Sequence, residues 1–566
     1  MHPSAFFINL NDSIDDLLRV MGNVTPFGTT SGFALVLNSL NELEGVVADS
    51  DLRRYILENS RLPIKIEEIL NRKYAFIKDS DYEKDLSNAV YTALNKTGWK
   101  TKSPIRYLPV LNEKNKVVRV LNLDELNSLY DSKRDLVYVI GLGYVGLTLA
   151  LFLSNKEANV IGIEISSRKV EKLLGKISYI NEAGLQNLLE LNINKYFKPS
   201  NTYGVIDDRA PGVNATFILC LPTPLNDSKN PNEKYLMDAI FELCKYVKPG
   251  DLIILRSTVE VGFSKKAAKI IEENTKLKTG SDFFLVFAPE RTLEGNALIE
   301  LENLPQIIGG ITKECQKRGL IFFRQFVSST IAVNTTEESE LIKIASNSYR
   351  DYTFAFSNYL SIVAQKYSLD INTLIKNANS GYSRNSIPSP SPGVGGPCLS
   401  KDSYFMPTVT SNEESPILAA RKFNESMPNK VVEFLKKQVG ENLTNQEIAA
   451  IGLAFKGIPE TNDLRNSVGI EIVNLLKKLN SNITYYEATL QKVPESDEFP
   501  AIVNPQVILI LNNHPKNIEV AVDILNKTNF SDIWLFDPWR LISSSFKSTI
   551  KTNVNYLTLS NVSSVL

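Results

Sequence analysis

Residues 136–153, LVYVIGLGYVGLTLALFL, carry no charge over eighteen positions, and whatever they form dictates what must surround them. They pass a crude length test for a membrane-crossing helix. Three glycines at fixed spacing, Gly141, Gly143 and Gly146, stand in the middle, and no second span of this kind accompanies them. A strand, LVYVI, turning at the glycines into a helix, LTLALFLSN, fits the pattern better. A second strand, NVIGIE, follows and ends in Glu164, eighteen residues after Gly146. In that setting G-x-G-x-x-G, with Tyr144 and Val145 inside it, reads as a dinucleotide site. The glycines admit a pyrophosphate to the helix N-terminus, and the acid holds ribose hydroxyls. An acid there repels a 2′-phosphate, so NAD is expected over NADP; Arg168 pulls the other way. A glycine turn without a ligand is the other reading of the motif.

The totals narrow the class. At 566 residues the chain is too long for one core, and about four domains are expected. Hydrophobic content of 43%, charge of 22% and a net charge of −1 fit a globular protein without a basic footprint for nucleic acid or anionic membrane. The start, MHPSAFFINLNDS, lacks the basic stretch and apolar run of a signal peptide, so a cytoplasmic protein is expected. Four scattered cysteines without a CxxC pair do not read as a disulfide or zinc framework. With His2 and His514 the only histidines, neither a Ser-His triad nor a multi-His metal site is expected. The chemistry falls to Cys, Lys, Asp, Glu and Asn.

Along the chain, residues 1–132 twice repeat a loose βαββα-like pattern, NDSIDDLLRVM being a helix capped by Asn11, Asp12 or Ser13. A polar linker, Asp131 to Asp135, leads into residues 133–333, where further strands end in Thr223-Pro224, Ser257-Thr258 and Glu290-Arg291. Ligands of open α/β sheets bind at such carboxyl ends. Residues 334–430 turn helical. In TEESELIKIASNSYRDYTFAFSNYLSIVAQKYS, the residues Glu340, Lys343, Asn347 and Arg350 share one face, and an inward polar stripe is expected there. The loop PSPSPGVGGPCLSKD follows, too rich in Pro and Gly for a helix or sheet. Gly395 and Gly396 let the backbone approach a ligand closely. A nearby cation, Lys401 among them, lowers a thiol's pKa and makes Cys398 a nucleophile. A flexible linker with an ordinary cysteine is the other reading of this loop alone. Residues 431–566 form a second α/β unit, in which Lys456 and Arg465 read either as a diphosphate clamp or as surface charges.

Together, GLGYVG (141–146), LPTPL (221–225), STVEVG (257–262), APER (288–291), Glu340 to Asn347, PGVGGPCLSKD (392–402), Asn424 with Met427-Pro428, and AFKGIPETNDLRNS (454–467) resemble the nucleotide-sugar 6-dehydrogenases, the UDP-glucose/GDP-mannose dehydrogenase family. The stretch around Gly45 to Arg54 resembles a CBS domain, one half of a pair within 1–132. The resemblance implies an α/β fold: two Rossmann-like domains joined by a central helical domain that forms a homodimer, preceded by an α+β CBS pair. It implies oxidation of a sugar C6 alcohol through an aldehyde, a Cys398 thiohemiacetal and a thioester to a carboxylate. Lys343 and Asn347 would stabilise the oxyanion, Asp402 and Glu290 handle protons and water, and Thr258 orient water or substrate. Dinucleotide contacts would come from Gly141, Gly143, Tyr144, Val145, Gly146, Glu164, Arg168, Thr223, Pro224, Ser257, Thr258 and Lys401. Substrate contacts would come from Glu290, Arg291, Lys343, Asn347, Arg350, Gly395, Gly396, Lys456 and Arg465. APER in place of NPEFL resembles the branch acting on UDP-N-acetylmannosamine or UDP-N-acetylglucosamine; UDP-glucose, a one-step β-hydroxyacid-type oxidation and a catalytically dead nucleotide sensor are the alternatives. CBS pairs often bind adenine nucleotides, but Ala48 and Leu121 stand where a hydroxyl usually precedes the ribose-binding Asp51 and Asp124. Nucleotide sensing and ligand-free dimerisation both stay open. Tyr359, Ser403 and Glu487-Ala488 depart from the family's usual Glu, Pro and Asp-Pro.

Overall fold

The uncharged run 136–153 is neither one helix nor a membrane span. It divides into a strand, Leu136–Ile140, and a helix, Tyr144–Asn155, whose residues Gly146 to Ser154 are all buried. A helix packed on every side has no polar face to show, which is why charge is absent. This computed structural model describes residues 3–22, 32–84, 93, 107–122, 136–406, 415–440, 443, 446–479, 482–490, 504–530, 533–542, 554–560 and 562–563. Most of the helix that the sequence pattern predicts within 81–98, together with Asp124 and the linker 131–135, lies outside them. Among the described residues no helix is long and apolar enough to cross a membrane.

The chain divides into two compact units: Met1–Asp135 with Ile321–Thr330, and Leu136–Leu320 with Ile331–Leu566. In the first, strand Phe33–Leu37 pairs parallel with Phe7–Asn9 and antiparallel with Leu43–Ala48. Strand Tyr107–Leu111 likewise pairs parallel with Ile77–Lys78 and antiparallel with Val117–Asn122. The antiparallel register slips at matching places, Val36/Leu37 and Val110/Leu111. The repeat read loosely from sequence is thus a repeat of topology. Of the three cap candidates, Ser13 caps helix Ile14–Met21, its hydroxyl accepting from the Asp16 N–H.

The second unit opens with an eight-stranded sheet. Strand Leu136–Ile140 lies between Val160–Ile163 and Ala215–Leu219, parallel to both. Chain order reverses at that point, so the Gly141 turn and the segment after Leu219 flank a topological switch crevice. Tyr138 and Phe217, stacked at 5.2 Å, pack in the core beneath it. The helix expected in the middle runs from Thr336 to Lys366, with Thr335 as N-cap, and packs along helix Pro416–Val439. Arg350 departs from the expected inward stripe: Glu340, Lys343, Asn347 and Asp351 are buried, and Arg350 is exposed. At about 100° per residue, Asp351 lies about 20° from Glu340, while Arg350 lies about 80° away at the stripe's edge.

A six-stranded sheet completes the unit. Its order is Asn482–Tyr486, Glu447–Ile451, Val507–Ile510, Ile533–Phe536, Val554–Leu557 and Val562–Ser563. Among the described residues, the segment after Trp539 therefore supplies two strands, the last antiparallel. Glu487, where Asp is usual, is fully buried and accepts the Leu453 and Ala454 N–H groups, closing the turn that leads to Lys456.

Candidate active site

Cys398 occupies the N-cap position of a one-turn helix, Leu399–Asp402, so its own carbonyl receives the Asp402 N–H. Two devices hold this loop. Arg421, 2% exposed, donates to the carbonyls of Val394 and Leu399 on either side of the cysteine and pairs with Asp351 at 2.9 Å. Ser403, where Pro is usual, donates to the same Asp351 carboxylate at 3.0 Å. Gly395 and Gly396 also have a packing role. The close approach they permit is to the next domain: a Cβ on Gly395 would lie 2.3 Å from the Asn466 carbonyl, and one on Gly396 2.7 Å from the Phe455 ring. The glycines seat the loop on its neighbour.

Around the thiol stand the expected polar groups. Asn347 donates to Asp402 Oδ2 at 2.7 Å, and Lys401 to Oδ1 at 2.8 Å. Lys343, one turn before Asn347, is 8% exposed and acts electrostatically on both Cys398 and Glu290. The expected cation effect on Cys398 is overridden. Burial and the Asp402 carboxylate push its pKa above the ordinary thiol value, although Lys343 and Lys401 pull it down. The residue as a whole is nonetheless exposed. The resting cysteine is a thiol, so a base must take its proton when it attacks.

The carboxylates divide sharply. Glu290 Oε2 accepts Arg256 Nε at 3.1 Å and Nη2 at 2.5 Å, and Oε1 accepts the N–H groups of Arg291 and Thr292, both at 2.7 Å. Burial would raise its pKa; the Arg256 charge and these donors outweigh it and hold Glu290 below the usual range. With about four acceptor directions filled, it has none left for water. Four residues on, Glu294 is the opposite case. Burial and then the Asp463 charge raise its pKa to about 7, and its Oε2 is buried without a partner. It also acts electrostatically on Cys398. Glu294 was missed in the sequence because it follows the strand end by a turn; a second acid one helical period after Glu290 was the signal available.

Lys456 and Arg465 converge on this acid. Lys456 Nζ donates to the Glu294 carbonyl at 2.6 Å, while Arg465 pairs with Asp463 at 2.5 Å and reaches Glu294 Oε1 at 3.4 Å. Arg291 is turned away, donating to the Pro305 carbonyl at 2.5 Å. Arg350 is exposed, and its charge bears on Lys456.

The dinucleotide crevice fits NAD. A Cβ on Gly143 would meet nothing within 4 Å, so the space above this residue is open to a diphosphate. A Cβ on Gly146 would lie 1.8 Å from the Gly141 carbonyl, so the helix packs as the fingerprint requires. Glu164 is 7% exposed at its strand end, accepting the Ser166 N–H and facing Lys169 at 3.3 Å, while Arg168 is exposed. Ser257 and Thr223 spend their hydroxyls on the crevice wall: Ser257 bridges the Leu221 N–H and carbonyl, and Thr223 donates to the Thr258 carbonyl at 2.6 Å.

Comparison with known proteins agrees. Residues 135–327 match the NAD binding domain of the UDP-glucose/GDP-mannose dehydrogenase family, residues 337–426 its central domain, and residues 1–58 a CBS domain. The UDP-N-acetyl-D-mannosamine dehydrogenase of Campylobacter jejuni is 33% identical over 407 residues, 68% of this chain and 97% of that protein. A solved UDP-D-ManNAc dehydrogenase from Pyrococcus horikoshii superposes with a TM-score of 0.66 at 28% identity, covering 75% of this chain and 99% of that one. Cap5O, the Staphylococcus aureus UDP-N-acetyl-mannosamine dehydrogenase, gives 0.64 at 28% identity, covering 76% and 99%. With its glycine fingerprint, strand-end acid and cysteine loop in one fold, the chain belongs to the UDP-glucose/GDP-mannose dehydrogenase family and is an NAD-dependent UDP-sugar dehydrogenase.

Proposed function

We propose that the protein oxidises the C6 hydroxyl of a UDP-N-acetylhexosamine to the uronic acid, releasing a precursor for surface polysaccharide. The observation that carries this reading is the convergence of Lys343, Asp402 and Glu294 on Cys398, with Asn347 bonded to Asp402. APER at 288–291 and the substrate names of the relatives favour an N-acetylhexosamine, the mannosamine epimer first.

Bound NAD supplies the hydride acceptor for each of the two oxidations. Glu294, with a pKa near working pH and a free lone pair, takes the C6 hydroxyl proton as the alcohol becomes an aldehyde. The Cys398 sulfur adds to the aldehyde carbon and its proton leaves to a carboxylate. The adduct's oxygen is met by the Lys343 ammonium and the Asn347 amide, whose other contact is Asp402. Loss of the second C6 hydride turns the adduct into a thioester. Water, deprotonated by Glu294 or Asp402, then displaces the thiol and releases the carboxylate. Glu290 keeps the strand end rigid in this scheme and moves no proton. Lys456 and Arg465 hold the diphosphate side of the substrate after exchanging a protein acceptor for a phosphate.

We further propose a homodimer formed through the central helices. Tyr349, Tyr352, Phe356 and Tyr359 project outward at spacings of three, four and three, and are 45–65% exposed. For the N-terminal unit we propose a regulatory or assembly role. Asp51 is already engaged by the Ala48 N–H at 3.0 Å and Arg54 at 3.6 Å, so an adenine nucleotide would have to displace these contacts.

The test is the NADH yield per sugar at completion with limiting UDP-N-acetylmannosamine or UDP-N-acetylglucosamine. Two per sugar supports the thioester route and names the substrate. One removes Cys398 from the chemistry, and none from either sugar overturns the reading.

A further inference from the structure

Glu182 lies between helices Ser167–Leu174 and Leu185–Asn192, far in sequence from the reacting groups, yet it is 6% exposed and carries three donors. Its Oε2 accepts the Tyr144 hydroxyl and the Gly295 N–H at 2.7 Å; its Oε1 accepts the Ala297 N–H at 2.8 Å. The Gly295 N–H also faces the Tyr144 oxygen at 3.1 Å. Tyr144 follows Gly143 in the dinucleotide fingerprint, and Gly295 follows Glu294. One buried carboxylate therefore ties the two loops of the active site together. The opposite wall of the turn is tight as well. Gly295 has φ +87, and a Cβ there would lie 2.7 Å from the Glu460 carbonyl.

We propose that Tyr144 and Glu182 are positioning residues for the acid–base carboxylate: together they anchor the Gly295–Ala297 turn and so fix where Glu294 points. The inference rests on the acid–base reading of Glu294. The groups bearing on Glu294 come from every side: Asp463, Arg465 and Lys456 from the C-terminal domain, Glu182 from the dinucleotide domain, and the Cys398 thiol. A turn free to rotate would exchange one of these influences for another and lose the hydrogen-bond reach that proton transfer requires. Because Tyr144 sits beside the open space at Gly143, the anchor also couples dinucleotide seating to the alignment of Glu294.

Tyr144→Phe, Glu182→Gln, Glu294→Gln and the Tyr144→Phe/Glu294→Gln double variant test this on the full chain. Two readouts are needed: steady-state kinetics, and amide hydrogen exchange without cofactor. Tyr144→Phe and Glu182→Gln each should lower kcat about tenfold or more, with KM for NAD and sugar changed less than about threefold. In the Glu294→Gln background Tyr144→Phe should cost nothing further, since both act through one group. The Gly295 and Ala297 amides should exchange about tenfold faster in Glu182→Gln while the rest of the protein is unchanged. Additive losses in the double variant with unchanged exchange would overturn the anchor and leave the Glu294 reading standing. A rise in KM for NAD alone would overturn it too, reducing Tyr144 to a cofactor contact. Unchanged kcat in Glu294→Gln would sink the acid–base reading itself, whatever exchange shows for the turn.

Discussion

Arg256 closes a two-nitrogen clamp on Glu290, with both side chains at most 9% exposed, and a third nitrogen reaches Gln306 at 2.9 Å. The carboxylate to which the family resemblance assigns proton handling is thereby held as an anion by buried donors. Breaking a buried pair from one side leaves an uncompensated charge, at a cost of roughly 3–5 kcal/mol. Arg256→Met strands the Glu290 carboxylate and Glu290→Gln strands the Arg256 guanidinium, so each should lower the denaturation midpoint; the loss should be smaller for Glu290→Gln, because Arg256 keeps the Ala288 carbonyl and Gln306 as acceptors. The pH dependence follows from the depressed pKa of Glu290. Its stabilisation is fully present above the ordinary value of 4.5 and is lost as pH falls below that value through the folded-state pKa. Urea melts of wild type and Glu290→Gln between pH 3 and pH 7 check this, and the two curves should converge at the acid end.

The raised pKa of Cys398 sets a second expectation. Iodoacetamide should modify it slowly at neutral pH, and the rate should still be rising at the ordinary thiol value of 9.0. Asp402→Asn removes a charge that raises the pKa and should speed alkylation at fixed pH; Lys343→Met should slow it. Cys398→Ala should stop after the first oxidation, giving at most one NADH per sugar and an aldehyde that a hydrazine captures. Mass spectrometry of the modified peptide separates Cys398 from the buried Cys220 and Cys315.

On the proposed acid–base role, Glu294 should give the pH profile its shape. As a base with a pKa of about 7, it should make kcat/KM rise with pH through neutrality, and Glu294→Gln should abolish that limb. Asp463 is a like charge that raises the value, so Asp463→Asn should move the limb to lower pH. Lys456 and Arg465 lower it, so Lys456→Met should move the limb to higher pH. Either limb moving the wrong way would mean that another group sets it.

The fold was legible because its signals are local. Glycine spacing at 141–146, the length of the 336–366 helix and the alternation of strands and helices each follow from backbone geometry that a few neighbouring residues decide. The site was legible only in its reactive members. Cys398, Lys343, Asn347 and Asp402 stand out by residue type in an apolar helix or a glycine loop. Their supports do not, because support is a long-range property: Arg421 reaches Val394 and Leu399 from another helix, and Arg256 meets Glu290 across 34 residues. The contrast between the surroundings of Glu290 and Glu294 has the same origin. Both are ordinary glutamates in sequence, and only the placing of Arg256 beside one and Asp463 beside the other parts them.

The outward aromatic row on the central helix makes the last prediction. Tyr359, where the family's usual residue is Glu, extends the row and meets Phe423 edge-on at 5.8 Å, so two helices contribute to one apolar strip. Residues three and four apart on a helix share a face, and a strip of large aromatics facing water is costly unless covered. If a second copy covers it, sedimentation should give a dimer, and Phe356→Glu with Tyr352→Glu should give a folded monomer. Oxidation should fall with the dimer, because the same helix carries Lys343 and Asn347 inward and loses its outer support. Lost activity at unchanged mass would show instead that the strip supports the site within a single subunit.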